Sequence, residues 1–474
     1  MILLSFLGFL SIFLVIGLSS YVKSRSSKED YYLASKSVSP AFAGLSAVAT
    51  NNSGYMFIGV IGYTYTVGLA SIWLMVGWIL GDFIASLYIH KKLRISTETT
   101  GEVTFSAVLS KWGGTDFKVV RYVSAAIIVL FLGVYAAAQL NAGGKALHAI
   151  FGWQTESGAF LVAVVVALYC MAGGIRASIW TDVAQSFVMV IAMGVLVTVA
   201  FMKIGGIGEA WHQMGQIEGY LDLFPRDLAF PGAFGIGLFI VGWLFAGLSV
   251  IGQPHIMVRF MVLEKPDQIV QARIWYYSFF VIFYIMATSV GLLSKLYLSL
   301  DGLDPELALP TLAQQLLPAP LVGLILAGIF AATMSTADSL ILSCSSAFTN
   351  DLLPWKISSP RGLRAATVIT TSLALGIAIF GSQNVFSIVI LAWSVLASAF
   401  APLLIVYSFG GKPSEARAVM MMIIGILSAL LWRHYGLQNS AYEGMIGILA
   451  GLAVYFVRMP ASKAEISTSK DNQY

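Results

Sequence analysis

The sequence predicts an all-α polytopic membrane protein with about thirteen transmembrane helices, each close to twenty residues long. Composition supports this fold class, because 58% of the 474 residues are hydrophobic and the mean hydropathy is +0.84. Only 11% of the residues are charged, whereas soluble chains carry about a quarter. The 45 glycines suit close helix packing and interrupted helices.

The apolar runs define the predicted spans, and short polar loops separate them. The first run lacks a basic leader and a small-residue cleavage site, so we expect it to be a span rather than a signal peptide. The predicted spans are 2–22, 41–68, 69–93, 119–152, 155–175, 177–206, 233–256, 268–298, 319–352, 363–381, 384–411, 416–436 and 444–460.

The basic residues predict the orientation, since cytoplasmic loops are enriched in Lys and Arg. If the N-terminus is outside, the inside loops hold nearly all basic residues, Arg259 among them. The outside segments then hold only Lys203, Arg226, Lys295 and Arg433. We expect a multi-pass plasma-membrane protein with a cytoplasmic C-terminus. A single transporter domain over residues 1–460 would be followed by a polar tail, 461–474.

One predicted span carries an unusual polar face. Ser335, Asp338 and Ser339 stand at i, i+3 and i+4 and therefore share one side of a helix. Hydrocarbon cannot hydrate a carboxylate, so this face must meet protein, water or an ion. Hydroxyl and carboxylate oxygens suit a small hard cation, and Na+ is the cation we expect.

Two spans contain helix-weakening residues. Thr50 to Gly54 interrupt the second span, and Gly247, Ser249 and Gly252 interrupt the seventh. Interruptions at matching places in two halves indicate a transporter built from inverted repeats, here about 41–206 and 233–411. The alternative is ordinary close packing of helices through small residues.

The motifs resemble those of the sodium/solute symporter family, and most closely its sodium/proline symporters. They run along nearly the whole chain and include LSAVATNNSG (45–54), GQPHIMVRFM (252–261) and AATMSTADSL (331–340). The resemblance implies a LeuT-type fold of two inverted five-helix repeats. One extra helix would precede these ten core helices and two would follow.

The resemblance also implies a sodium site between the first and eighth core helices. Its ligands would be backbone carbonyls and two hydroxyls, from Ala49, Asn52, Ala332, Ser335 and Thr336. The alternative for the two hydroxyls is a bond to a carbonyl of their own helix. A second cation, or a proton, would lie at Asp182, Asp338 and Ser339, because two carboxylates near one cavity repel each other. The alternative for Asp182 is a solvated helix cap at the inner interface.

The solute site is expected beside the two interruptions. Its candidate residues are Asn51, Tyr135, Gln139, Trp243 and Trp393. Proline symporters commonly carry an aspartate where this chain has Asn51, and aromatic residues where it has Ala246 and Val250. For the aromatic candidates, ordinary packing is the alternative.

These features predict a sodium-coupled symporter that imports a small organic solute, with proline or a related amino acid as the first choice. The alternatives are proton coupling, or a betaine, carboxylate, sugar or vitamin as the solute. We expect no enzymatic activity, no cofactor, no metal other than Na+ and no nucleic-acid partner. The lipid bilayer is the other partner, and a monomer should suffice for transport.

Overall fold

A computed structural model describes residues 1–23, 27–298, 304–355, 357–382 and 384–457, and most of these residues are helical. The expected tail, 461–474, lies outside the described residues. The α-helices are α1 Ile2–Ser19, α2 Lys28–Leu33, α3 Pro40–Asn51, α4 Ile61–Val67, α5 Ile72–Thr100, α6 Phe105–Lys111, α7 Lys118–Phe151, α8 Thr155–Ile204, α9 Ile207–Gly215, α10 Gly232–Leu248, α11 Pro254–Met261, α12 Ile269–Tyr297, α13 Ala308–Leu316, α14 Ala319–Ala347, α15 Pro360–Phe380, α16 Val385–Ser408, α17 Glu415–His434 and α18 Glu443–Phe456.

Ten helices within the described residues are long and apolar enough to cross a membrane. The difference from the thirteen predicted spans comes from two pairs of spans that merge and from one span that is a shorter helix. The second span continues into the third, and the fifth and sixth together form α8. The last span is the 14-residue helix α18. The structure therefore agrees with a polytopic membrane protein whose passes differ in length.

Helix α8 is kinked at Gly174, where φ is 55° and ψ is −139°. A straight helix of its 50 residues would extend about 75 Å, far more than a bilayer. Tyr169 and Ser178 lie on opposite sides of this bend, and both donate hydrogen bonds to Asp338. The predicted boundary between two spans is thus a sharp turn, which only glycine adopts without strain.

The predicted break in the second span is confirmed. Helix α3 ends at Asn51, and Asn52 takes a non-helical conformation with φ −80° and ψ 63°. The next peptide N–H groups bond outside the helical pattern: Gly54 to Gln139 Oε1, Tyr55 to Ser53 Oγ and Met56 to the Ser53 carbonyl. The carbonyls at the end of α3 therefore lose their helical partners.

The predicted break in the seventh span is also confirmed. After α10, a 3₁₀ turn spans Ser249–Gly252, and Gln253 is extended. The Gln253 side-chain amide donates to the carbonyls of Ser249 (3.2 Å) and Trp393 (2.9 Å). A polar side chain thus replaces part of the helical hydrogen bonding at the interruption.

Replacing Gly174 with alanine should lower thermal stability. A Cβ there would lie 2.4 Å from the Tyr31 carbonyl oxygen, and the backbone conformation itself costs roughly 1–3 kcal/mol for a non-glycine residue. Gly194→Ala, in the same helix, is the matched control, because its Cβ would meet only Met286 Sδ at 3.7 Å. A melting measurement in detergent that shows equal stability for the two variants would contradict the sharp turn.

Candidate cation and solute site

The break after α3 lies directly against the polar face of α14. Ser335 Oγ is within hydrogen-bond distance of the Ala49 carbonyl at 3.0 Å and of the Ala332 carbonyl at 3.1 Å. Thr336 Oγ1 donates to the Thr50 carbonyl at 2.8 Å. Two hydroxyls of one helix therefore bond to the carbonyls that the other helix leaves without partners.

Three of the five expected sodium ligands, Ala49, Ala332 and Ser335, are in direct hydrogen-bond contact. Thr336 bonds across to the neighbouring peptide, so bonding only within its own helix is excluded for this hydroxyl. Asn52 is fully buried, and neither atom of its side-chain amide has a hydrogen-bond partner. All of these groups are neutral oxygens or amides inside the protein.

A second polar cluster lies one turn further along the same face of α14. Asp182 and Asp338 are both fully buried, and Arg259 lies between them. Arg259 Nη2 is 3.3 Å from Asp182 Oδ2 and 3.7 Å from Asp338 Oδ1. The guanidinium thus supplies a positive charge to the place where the sequence predicts a second cation.

Hydroxyl groups complete this cluster. Ser46 Oγ donates to Asp182 at 2.6 Å, and Tyr169 Oη donates to Asp338 at 2.8 Å. The hydroxyls of Ser178 and Ser339 each donate to Asp338 at 2.8 Å and accept from the guanidinium. Four helices contribute to this network, so it fixes α3, α8, α11 and α14 relative to one another.

The structure contradicts one expectation and one alternative for this cluster. Arg259 is not a loop cation, because its side chain is fully buried in α11. Asp182 is not a solvated cap, because it is fully buried within α8. The signal for Arg259 is its place in the apolar motif HIMVRFM, where an arginine is costly unless carboxylates pair with it.

The cluster retains one formal negative charge, since two carboxylates face one guanidinium. Within the described part of the chain, Asp182 Oδ1 and Arg259 Nη1 are buried without hydrogen-bond partners. Full burial makes an uncompensated charge expensive. The arrangement can therefore accept one more monovalent cation or a proton.

Most of the expected solute residues meet near the two breaks. Tyr135 Oη is 3.3 Å from Ser53 Oγ, and Gln139 Oε1 accepts the Gly54 N–H at 2.9 Å. Trp393 donates from Nε1 to the Ala246 carbonyl beside the second break. Gln139 Nε2 is buried without a partner and remains available as a donor.

His255 joins this group, although the sequence suggests a position at a span end. Its ring is fully buried, 5.4 Å from the Tyr135 ring and 6.4 Å from the Trp393 ring. Neither ring nitrogen has a hydrogen-bond partner. The signal that would have found it is its place immediately after Pro254, which opens the helix behind the second break.

Asn51 faces a buried carboxylate on α5. Its Nδ2 is 2.5 Å from Tyr276 Oη and 3.4 Å from Asp82 Oδ2. Asn51 is buried, and its Oδ1 has no hydrogen-bond partner among the residues that the structure describes. Asn51 thus lies between the break and a charge that comes from a different helix.

Trp243 lies apart from the other solute candidates. It lines a cavity of about 460 Å³ together with Tyr63 and Phe386. The Phe386 ring stacks on Tyr63 at 5.0 Å and on Tyr55 at 5.3 Å. These aromatic rings lie between the cavity and the buried residues at the break. The structure therefore divides the predicted solute residues between two places.

Comparison with known proteins identifies the class. Residues 31–425 match the model of the sodium:solute symporter family, and the chain belongs to that family. It is a membrane transporter, as the sequence predicts, and not an enzyme.

Relatives with similar sequences are described as proline transporters. The chain is 29% identical to the high-affinity proline transporter PutP of Bacillus subtilis, over 97% of this chain and 98% of that protein. It is 29% identical to a sodium/proline symporter of Staphylococcus aureus, over 94% and 90% of the two chains.

Solved structures confirm the LeuT-type fold. An outward-open Na+-coupled sialic acid symporter superimposes with a TM-score of 0.80 at 20% identity, over 98% of this chain and 99% of that one. A closed nucleobase-cation-symport-1 family transporter superimposes with a TM-score of 0.57 at 13% identity, over 93% and 95%.

Replacing Arg259 with glutamine should destabilise the protein by roughly 3–5 kcal/mol, because it leaves two buried carboxylates without their cation. Adding Asp338→Asn should restore part of the loss. Arg226→Gln is the control, since Arg226 is an exposed arginine with two acidic partners. If Arg259→Gln and Arg226→Gln melted at the same temperature, the cluster would not hold the helices together.

Proposed function

We propose that the protein couples the inward movement of sodium to the uptake of a small organic solute, with proline or a related amino acid as the solute. The observation that carries this proposal is the contact between the break after α3 and the hydroxyls of α14. The transporter would lie in the plasma membrane with its N-terminus outside. The distribution of basic residues supports this orientation, and the names of the relatives support proline as the solute.

The proposed sodium ligands are the carbonyls of Ala49, Asn52 and Ala332 and the hydroxyls of Ser335 and Thr336. Their support is that Ser335 already bridges the carbonyls of Ala49 and Ala332. Neutral oxygens hold a monovalent ion without trapping it, because they add no opposite charge. Binding here would join the broken helix to α14 and favour one arrangement of the two.

A second monovalent cation, or a proton, is proposed at Asp182, Asp338 and Ser339. Its support is the net negative charge of the cluster and the unpartnered Asp182 Oδ1. Arg259 remains between the carboxylates, so any such ion shares them with a guanidinium. Each sodium ion that moves down a 100 mV potential releases roughly 2.3 kcal/mol, and a second ion would double the driving force.

The solute is proposed to bind between the breaks, at Asn51, Tyr135, Gln139 and Trp393. Trp243 would lie on its path from the cavity of about 460 Å³, which would open to the outside and is called the outer cavity below. A carboxylate would face the start of the helical segment Tyr55–Val60, where the helix dipole gives partial positive charge. Gln139 Nε2 is a free buried donor on the same side. The His255 ring lies beside this position, next to Tyr135 and Trp393.

Transport would follow from rocking of one helix group against the other around this fixed site. Phe386, with Tyr55 and Tyr63, would close the site towards the outer cavity. One chain contains every proposed ligand, so a monomer should suffice.

Ser335→Ala and Thr336→Ala should each weaken sodium affinity by roughly tenfold or more, since each removes a ligand worth at least ~1.4 kcal/mol. The measurement is ²²Na+ binding to purified protein. Ser289→Ala is the matched control, because that exposed hydroxyl bonds only to Ile285 of its own helix. Unchanged affinity in both site variants would place sodium elsewhere.

A solute that binds after sodium should raise the melting temperature only when sodium is present. We expect L-proline or another small amino acid to do so in a thermal-shift screen that compares sodium with choline chloride. Stabilisation of equal size in both salts would argue against sodium coupling. Stabilisation that follows pH instead of sodium would favour the proton-coupled alternative.

A further inference from the structure

Asp82 is a buried acid that the proposed sodium and solute sites do not use. It lies on α5 and is fully buried. Its carboxylate accepts hydrogen bonds from Tyr276 at 2.6 Å, Tyr277 at 2.8 Å and Asn51 at 3.4 Å. All three donors are neutral, and Asp82 has no ion-pair partner among the residues that the structure describes. A carboxylate in this setting indicates a functional site and can act as the counter-ion of a cationic ligand.

The position of Asp82 connects it to the solute site. Trp78 precedes it by one helical turn on the same face, and the Trp78 ring is 5.0 Å from Trp393 and 5.8 Å from Tyr55. Asn51, which contacts the carboxylate, is the last residue of α3. The C-terminal end of a helix carries partial negative charge, so α3 adds to the attraction of Asp82 for a cation.

We propose that Asp82 binds the protonated amino group of the transported solute, with Asn51 Oδ1 as the second acceptor. This inference rests on the proposed function and narrows the solute to amine-bearing compounds. The ammonium would face Asp82 and the end of α3, while the carboxylate would face Gln139 and the start of Tyr55–Val60. The two helix ends at the break in the second span would thus orient a zwitterionic solute, because their dipoles have opposite charge there.

The surroundings favour an organic ammonium over a sodium ion. The Tyr276 and Tyr277 hydroxyls already donate to Asp82. Among the described residues, the acceptors that remain for a cation's N–H groups are the carboxylate and Asn51 Oδ1, which is buried and unpartnered. Aromatic rings form the rest of the wall, with Tyr276 and Tyr277 4.8 Å apart and Phe83 5.2 Å from Tyr277. Aromatic faces bind organic ammonium groups through cation–π contacts, whereas sodium requires a shell of oxygens.

The first test uses the unmodified protein in sodium and needs no variant. L-Proline competes for binding with tetrahydro-2-furoate, which has the same ring and carboxylate but an ether oxygen in place of the amine. We expect the furoate to bind more weakly by roughly thirtyfold or more, because it leaves Asp82 without its cation. The screen adds N-acetylneuraminate and glucose, which lack a basic amine. Sodium-dependent binding of any solute that lacks an amine would overturn the proposal.

The second test is Asp82→Asn. It should weaken L-proline binding by a similar factor and leave ²²Na+ binding unchanged. Glu209→Gln, at an exposed acid of α9, is the matched control and should alter neither. Equal losses of proline and sodium binding would overturn the proposal, and so would unchanged proline binding. If the unmodified protein bound no ²²Na+, sodium coupling itself would be refuted. Failure of the Asp82 proposal and failure of the proposed function can therefore be told apart.

Discussion

The structure depends on the hydrogen bonds between an interrupted helix and the hydroxyls of a continuous one. Helix α3 ends inside the protein, and its last carbonyls must find partners away from water. Ser335 and Thr336 provide them from α14, at 3.0 and 2.8 Å. These contacts hold the break in place, and they also gather the oxygens that a monovalent cation needs. Structural support and the proposed ion site are therefore the same set of atoms.

Among the described residues, four charged side chains have no exposed surface, and all four lie around this junction. Arg259, Asp182 and Asp338 lie along α14 beyond the hydroxyls, and Asp82 lies on the other side of the break beside Asn51. Each charge is fully buried and hydrogen-bonded. A bilayer protein tolerates such groups where they bind one another or a transported ion. Arg259, Asp182 and Asp338 form a paired cluster, whereas Asp82 stands alone. This separation suggests that the two places bind different ligands, a monovalent cation or proton in the cluster and the solute's ammonium at Asp82.

The sequence predicted the features that depend on local composition. The length of the apolar runs predicted the spans. The break in the second span was predicted from Thr50 to Gly54, because these residue types weaken a helix wherever they occur. The shared face of Ser335 and Ser339 followed from helical spacing. Contacts between distant helices could not be predicted in this way. Nothing near Arg259 in the chain indicates that it meets Asp182, and nothing near Asp82 indicates that it meets Asn51, because these pairs form only when the helices pack.

The most direct test of the central claim is a cryo-electron microscopy comparison of the purified protein in sodium chloride and in choline chloride. The account predicts a density between the Ala49 and Ala332 carbonyls and the Ser335 hydroxyl in sodium, and its loss in choline. A map with no sodium-dependent density at this junction, or with that density only elsewhere in the protein, would contradict the account.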